Sequence, residues 1–201
     1  MSTNSISLNA LRISVAVAAL AAVAACAKKE TPAADTTATA TAAPAPAPAA
    51  PAINDAQIAH IVVTANAIDS TAGVLARTKA SSKAVKDFAQ TMIKDHMGVN
   101  KQAVALATKL NVTPEANDVS KQLMAGADEN IANLKGLSGA AFDKAYIDHE
   151  VAYHQAVLDA IDQTLVPSAQ NAELKDLLVK VRPAFVAHLD RAKSIQTSLT
   201  K

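Results

Sequence analysis

The sequence contains no tryptophan, a single cysteine and five glycines among its 201 residues. One cysteine cannot form an intrachain disulfide, so a disulfide-stabilised scaffold is excluded. Only two tyrosines and three phenylalanines are present, and 19 Lys and Arg residues nearly balance 18 Asp and Glu residues. Because nucleic-acid binding relies on basic patches and aromatic stacking, we expect no nucleic-acid partner. P-loop, Rossmann, CxxC and GxSxG motifs are also absent, which excludes the enzyme classes built on them.

The N-terminus has the organisation of a secretory signal. Ile13–Ala25 is a thirteen-residue run that is apolar except for Ser14. Thirteen helical residues span about 20 Å, which is too short for a hydrocarbon core of about 30 Å. The length is typical of the apolar core of a signal peptide, so we interpret residues 1–25 as a signal peptide.

The single cysteine follows this run directly. The tetrapeptide Val23-Ala24-Ala25-Cys26 resembles the lipobox of bacterial lipoproteins, whose cysteine is lipidated and becomes the mature N-terminus. This resemblance implies a lipid anchor at Cys26 on the periplasmic side of the cell envelope. Ala27, in place of an aspartate, favours the outer membrane over the inner membrane. The alternative is an ordinary secretory signal cleaved near Ala22–Ala25, which leaves Cys26 as an incidental thiol.

A composition change separates this anchor from the rest of the chain. Residues 27–52 contain twelve Ala, five Pro and five Thr. Such a segment cannot bury a hydrophobic core, and its alternating Ala and Pro residues favour polyproline II. We therefore interpret residues 26–52 as the lipidated cysteine with a disordered Ala/Pro/Thr linker, and residues 53–201 as one folded domain.

Helical periodicity dominates the domain, and no alternating strand pattern is present. Cap residues, prolines and apolar spacing predict four long helices, at about 55–78, 82–110, 139–165 and 171–199. The third helix is expected to end before Pro167. Residues 115–134 have a weaker pattern that predicts one or two short helices. The sequence therefore predicts an all-α, ferritin-like four-helix bundle with one long crossover that carries the short helices.

Each of the four long helices has an apolar stripe with spacings of three and four residues, and one polar residue interrupts each stripe. These four residues are Asp69, His96, His154 and His188. Buried carboxylates and imidazoles need partners, and together they are good ligands for a transition metal such as iron, zinc, copper or manganese. Asp95 and Glu150 flank the stripes and are candidates for ligands or for hydrogen-bond partners of ligands.

The same four residues are also consistent with a structural polar cluster that holds no metal. The third helix carries a second, aromatic stripe from Phe142 to Ala160, so its inward face is ambiguous. Reflection through a turn at residues 166–170 also leaves His154 and His188 about six residues, or roughly 9 Å, out of register. If a metal is bound, its affinity should fall as the pH drops through about 6, because the imidazoles must be neutral.

Several blocks of the sequence together resemble one bacterial envelope family. They are Ala67-Ile68-Asp69, Gly73–Ala76, Val85–Gln90, Met92–His96, Phe142–Tyr146, Val151–His154, Pro183 and His188-Leu189. The family is catalogued as domain of unknown function 4142, and the resemblance covers nearly all of residues 53–201. It implies a ferritin-like bundle in a secreted or membrane-attached protein of no assigned activity. The polar positions of its pattern match Asp95, His96, His154 and His188, while Asp69 stands where the family more often has Glu.

Two functions follow from these observations. The first is a non-enzymatic, periplasm-facing envelope lipoprotein that acts as a structural or stress-related module through contacts with other envelope proteins. The alternative is a metal-binding or redox protein that uses the Asp/His cluster inside the bundle. The paired Glu-x-x-His motifs of ferritins are absent, so a di-iron oxidase is not expected.

Overall fold

The computed structural model of the chain describes residues 53–200, and the predicted signal peptide, Cys26 and the predicted linker lie outside these residues. The described residues contain five long helices and no strand. The helices are α1 (Asp55–Lys79), α2 (Lys83–Lys109), α3 (Asp118–Gly136), α4 (Gly139–Ala160) and α5 (Ala172–Leu199). The prediction of an all-α helical bundle is confirmed.

Local hydrogen bonds fix where three of the helices begin. At α1, the Asn54 side chain accepts a hydrogen bond from the Gln57 backbone N–H, and the Gln57 side chain accepts one from the Asn54 N–H. Asn117 and Ser120 form the same reciprocal pair at α3. Asn171 accepts from the first backbone N–H groups of α5. These side chains pair with N–H groups that have no partner inside the helix, so the sequence itself encodes these helix starts.

Contacts between helix ends show the direction of each helix. The Lys79 ammonium, at the end of α1, donates to the carbonyl oxygens of Leu134 and Lys135 at the end of α3. The Glu115 N–H, just before α3, donates to the Ala56 carbonyl at the start of α1. Helix α3 therefore runs parallel to α1. Short turns make α1 antiparallel to α2, α3 antiparallel to α4, and α4 antiparallel to α5. Because α3 is parallel to α1, helices α2 and α4 are parallel to each other, and a long crossover must connect them.

The crossover contains one helix of 19 residues, and the expectation of short helices there is wrong. Helix α3 packs against α1 and α4 on the outside of the four-helix bundle. Leu134 is fully buried in this contact, while Leu123 and Ile131 are partly buried. Because α3 contacts its neighbours along one narrow face, its apolar pattern is weak, and capping and packing supply the stability that the pattern does not reveal.

The end of α4 also differs from the prediction. After Ala160 the chain continues through a π-helical turn, Ile161–Leu165, and a last α-helical turn, Val166–Ser168. Pro167 therefore lies inside the helical segment and does not follow its end. A proline has no N–H, and its ring collides with the carbonyl four residues earlier in a regular α-helix. The wider π turn accommodates the proline, and the Val166 N–H bonds to the Ile161 carbonyl five residues back.

Two aspartates join the hairpins to each other. Asp143 on α4 is 1% exposed and accepts the backbone N–H groups of Ser81-Ser82 before α2, at 2.9 and 2.8 Å. Asp55 on α1 accepts the N–H groups of Gln170-Asn171 before α5, at 2.8 and 2.9 Å. Each carboxylate lies at the start of a helix in the other hairpin, where it accepts backbone N–H groups that have no partner inside that helix. The hairpins are thereby held at a fixed position along the bundle axis.

The apolar core consists of two clusters at different heights in the bundle. One cluster includes Ile58, Val62, Leu158, Ile161, Leu178 and Phe185. The other includes Ala72, Ala76, Phe88, Met92, Phe142 and Tyr146. Along α1, Asn66 and Asp69 lie between the residues that belong to the two clusters. The core therefore encloses a polar layer, which is described below.

Helix α1 is long and apolar enough to cross a membrane by length and composition alone, with a mean hydropathy of 1.4 over its most apolar window. In the bundle, 44% of that window is buried. Its partners are α2, α3 and α4. These contacts bury part of the apolar surface of α1 in the core.

A pair of glycine substitutions tests the close contact between α1 and α2. A Cβ atom at Gly73 would lie 3.1 Å from both the Ala89 carbonyl oxygen and the Ile93 Cγ1, whereas no described atom lies within 4 Å of the equivalent position at Gly98. We expect Gly98→Ala to raise the free energy of unfolding by about 0.5–1 kcal/mol, because alanine is the better helix former. Gly73→Ala should lower it, because the two helices must move apart. Urea unfolding measures both effects, and an equal gain at the two positions contradicts the close contact.

Candidate metal centre

The four polar residues of the helix stripes lie at the same height in the bundle, one on each long helix. They are Asp69 on α1, His96 on α2, His154 on α4 and His188 on α5, with exposed fractions of 1%, 3%, 1% and 5%. The three imidazole rings are mutual neighbours, with centroid separations of 5.3 to 5.5 Å. The structure therefore brings all four predicted residues together in the centre of the bundle.

The register difficulty that the sequence presented at the α4–α5 hairpin does not arise. The rings of His154 and His188 are 5.4 Å apart between centroids. The helical segment after α4 continues to Ser168, and α5 begins at Ala172, so the centre of the turn lies near residue 170. Moving this centre by about two residues reduces the mismatch along the axis from about six residues to about two, which is roughly 3 Å.

The tautomer of His96 is set by a chain of two hydrogen bonds. The His96 Nδ1 lies 2.9 Å from the Asn66 side-chain oxygen, and the Asn66 amide nitrogen donates to the Val62 carbonyl at 2.8 Å. Because the amide nitrogen is used by the carbonyl, the oxygen faces the histidine and can only accept. His96 therefore carries its proton on Nδ1, and the lone pair of Nε2 faces the centre of the cluster.

The other two histidines are oriented by similar partners. The His154 Nδ1 donates to the backbone carbonyl of Glu150 at 3.0 Å, and the His188 Nε2 donates to the Asp95 carboxylate at 3.0 Å. Their remaining ring nitrogens, Nε2 of His154 and Nδ1 of His188, are buried and have no hydrogen-bond partner among residues 53–200. The same is true of the His96 Nε2 and of both carboxyl oxygens of Asp69. Three imidazole nitrogens and one carboxyl group in this cluster are thus left without a hydrogen-bond partner among the described residues.

The separations between these atoms match a metal site better than direct hydrogen bonds. The Asp69 Oδ2 lies 3.3 Å from the His96 Nε2 and 3.6 Å from the His154 Nε2. An N–H···O hydrogen bond is usually about 2.9–3.0 Å long. Two ligands on a tetrahedral ion with bonds of about 2.05 Å are about 3.3 Å apart. Ligand atoms of His96, His154 and His188 also lie within 4.8 Å of one another, and His154 belongs to a second such group with Asp69 and Glu150.

Burial shifts the protonation of the cluster toward neutral groups. Desolvation lowers the pKa of His96 to about 2 and that of His154 to about 4, and the neighbouring histidines add to both shifts. Desolvation also lowers the pKa of His188 and raises that of Asp69 to about 8. At neutral pH the imidazoles are therefore ready to bind a metal, and the competing proton is on Asp69. From the sequence, metal affinity is expected to fall as the pH drops through about 6. With Asp69 as the group that must lose its proton, this fall is expected at about pH 8.

Asp95 and Glu150 have different places beside the cluster. Asp95 is partly exposed, with 37% of its side chain accessible, and binds His188 from the surface side. Glu150 is 1% exposed, and its Oε2 lies 3.4 Å from the His154 Nδ1. Burial and the nearby Asp69 raise the pKa of Glu150 well above its usual value. Glu150, Asp69 and His154 also have ligand atoms within 4.8 Å of one another, so Glu150 is a further candidate ligand.

Sequence reasoning did not identify two residues that complete the site. Asn66 is 3% exposed and orients His96, and Tyr146, fully buried on α4, places its hydroxyl near Glu150. Each lies one helical turn before a recognised residue, Asn66 three positions before Asp69 and Tyr146 four before Glu150. This spacing places both residues on the inward face of their helices, and it is the sequence pattern by which they could have been identified.

The fold and the site define a four-helix bundle with a buried Asp/His cluster at its centre. The chain belongs to the family described as domain of unknown function (DUF4142), whose model matches residues 38–195. This match confirms the family resemblance of the sequence blocks. No curated protein and no solved structure matches the chain significantly.

The raised pKa of Asp69 predicts a pH effect on the stability of the metal-free protein. Between pH of about 4 and 8 the folded state keeps a proton on Asp69 that the unfolded state releases, so stability falls as the pH rises through this window. Asp69→Asn should remove this loss, making the two slopes differ by up to about 1.4 kcal/mol per pH unit. Urea unfolding with a chelator present, at pH 5, 6, 7 and 8, measures both slopes.

The three histidines provide an internal control for the comparison of the wild type with Asp69→Asn. The histidines act with the opposite sign, because their lowered pKa values cost stability as the pH falls below about 6.5. This acid-side loss is expected in both proteins. Parallel stability curves across pH 5–8 would show that Asp69 is ionised in the folded protein.

Proposed function

We propose that this protein is a metal-binding envelope lipoprotein that holds one transition-metal ion inside its helical bundle through Asp69, His96, His154 and His188. The observation that carries this proposal is the convergence of two oriented imidazole nitrogens, of His96 and His154, on the Asp69 carboxyl group, with the His188 ring beside them. None of these groups has a hydrogen-bond partner for its inward-facing atoms among the described residues. Of the two functions that the sequence suggests, the geometry supports the metal-binding protein better.

A purely structural cluster leaves too few protons for its acceptors. The proton on Asp69 can be donated to one imidazole nitrogen, which leaves two other buried lone pairs without a donor among residues 53–200. Each unsatisfied buried group costs about 1–3 kcal/mol. A divalent ion replaces that proton and satisfies all four groups at once, which is how buried charges and lone pairs are usually stabilised.

The donor set and its spacing favour zinc, with copper, iron and manganese as alternatives. Imidazole and carboxylate ligands suit all four metals, and a spacing near 3.3 Å suits a tetrahedral ion. Four protein ligands leave no open coordination position, whereas a catalytic zinc keeps one for water. With zinc, the arrangement therefore supports a structural, storage or transfer role and not hydrolysis, and an electron-transfer role would require copper or iron.

The partners behind the ligands have the arrangement that metal-binding histidines usually have. Each of the three histidines donates its one N–H to an oxygen, on Asn66, the Glu150 backbone or Asp95, and keeps the other ring nitrogen free for a metal. Asp95 and His188 also line a surface pocket of about 380 Å³ between α2 and α5. This is the side from which an ion can reach the cluster, and the Asp95 carboxylate there attracts cations.

The proposed location follows from the N-terminal sequence. A signal peptide with lipidated Cys26 at its cleavage point would anchor the chain to the membrane, on the periplasmic side and favouring the outer membrane. Residues 27–52 would then connect the anchor to the bundle. The partners proposed are the membrane, through the anchor, and other envelope proteins.

Metal content is the direct test of the site. We expect the full chain, loaded with Zn²⁺ and desalted, to hold one ion per chain, and Co²⁺ to give the intense visible absorption of a tetrahedral ion. Zn²⁺ at 100 times its Kd should raise the free energy of unfolding by about 2.7 kcal/mol. His96→Gln or His154→Gln should reduce the metal content to below about a tenth, because each removes a ligand.

Two further variants distinguish the proposed metal ligands from residues that do not bind the metal. Asp95→Asn keeps all four ligands and weakens only the partner of His188, so we expect affinity to fall by about 10–100-fold with unchanged stoichiometry. His60→Gln, on α1 and bonded to Thr64, should bind metal like the wild type. If His60→Gln loses metal as completely as His96→Gln, or if no divalent ion binds at pH 8, the proposed centre does not exist.

Replacing the anchor residue tests the location. Cys26→Ser cannot be lipidated, so we expect the protein to appear in the soluble periplasmic fraction or to accumulate as an uncleaved precursor. Cell fractionation with immunoblotting measures this, and a substitution of Ser5 by Ala is the control. Normal processing together with unchanged membrane retention of Cys26→Ser would contradict a lipid anchor.

A further inference from the structure

An apolar cleft lies beside the proposed metal centre and has no role in it. It is bounded by α1, α3, α4 and α5 and has a volume of about 180 Å³. Its lining includes Ile61, Val62, Leu123, Val157, Leu178 and Val181. Most of these side chains are buried, and the cleft opens to solvent at a rim that includes Val119 and Ala156, both exposed.

The lining carries no charged side chain, and its buried polar groups already have partners. Asn66 uses its oxygen for His96 and its nitrogen for the Val62 carbonyl. The Tyr153 hydroxyl donates to the Ala65 carbonyl at 3.0 Å. A ligand therefore gains little from hydrogen bonds there, and a charged ligand would be desolvated without a counter-charge. The complementary molecule is uncharged and apolar.

The irregular end of α4 forms part of the cleft wall. Ile161, Thr164 and Leu165 of the π-helical turn form part of its wall. A π turn has a wider backbone than an α-helix and is often found at functional sites. The distortion that accommodates Pro167 thus also shapes this wall.

The cleft shares two residues with the surroundings of the metal centre. Phe185 lines the cleft and stacks on His96, with ring centroids 5.1 Å apart and planes 10° from parallel. Asn66 lines the cleft and orients the same histidine. A molecule in the cleft therefore contacts the two side chains that hold His96 in place.

We propose that this cleft binds a small, uncharged apolar molecule of about the size of one aromatic ring, next to the metal centre. An apolar protein cavity of about 150 Å³ stays dry and binds benzene, so a cleft of about 180 Å³ is large enough. Binding does not require the metal ion. It is therefore tested on the metal-free protein, so the result does not depend on whether the proposed metal centre binds an ion.

The experiment uses the full chain carrying Cys26→Ser, in a detergent-free buffer with a chelator, and toluene as the probe. Calorimetry should show one toluene per chain, and toluene should raise the unfolding temperature. Benzoate, which has the same ring and a negative charge, should do neither. Ala160→Leu fills the cleft and Ala156→Leu fills its rim, so each should weaken toluene binding by at least about tenfold. Ala152→Leu, an exposed position of α4 outside the cleft lining, should not.

Three results would overturn the proposal. The first is the absence of toluene binding to the wild type, and the second is equal binding by all three alanine variants. The third is tighter binding of decanoate, a ten-carbon fatty acid anion, than of toluene, which would identify a lipid-binding cleft. In the Co²⁺-loaded protein, toluene should also change the visible spectrum through Asn66 and Phe185, and an unchanged spectrum at saturation would contradict this placement.

Discussion

Desolvation of the Asp69 carboxyl governs the chemistry at the centre of this bundle. The side chain lies between two apolar clusters and is beyond the reach of solvent, so its charged form is strongly disfavoured unless a cation is present. The same burial keeps the imidazoles of His96, His154 and His188 neutral. One proton or one metal ion can occupy the space between these groups, and the metal ion satisfies more of them. In the proposed metal centre each of the four helices would supply one ligand, so the site would be a property of the complete bundle.

A comparison of three aspartates shows how Asp69 differs from two carboxylates that hold the fold together. Asp143 is as buried as Asp69, but its oxygens accept backbone N–H groups at the start of α2. Asp55 does the same for α5. These two carboxylates are satisfied by helix ends and hold the hairpins together. Asp69 sits in the middle of a helix, where every backbone N–H is already used, so only side chains or a bound ion can satisfy it.

The irregular end of α4 connects the register of the site with the cleft beside it. Because the chain stays helical through Pro167, the α4–α5 turn falls near residue 170, and His154 reaches the height of His188. The π turn that lets the helix continue through Pro167 also forms part of the wall of the apolar cleft. Phe185 then separates the cleft from the histidines while stacking on one of them. The π-helical turn before one proline thus affects both the proposed metal centre and the cleft next to it.

The sequence by itself determined the helices and the composition of the buried polar layer. Helical periodicity and caps such as Asn54 act over a few residues, and the polar members of the stripes were visible because polarity on an inward face is a local property. Only the tertiary structure decided the separations within the site, the tautomers, the role of Asn66 and the single long helix of the crossover. These depend on which atoms other helices bring nearby. The register of His154 with His188 is the clearest case, because it follows from how far the chain continues past Pro167, which the packing of the whole bundle decides.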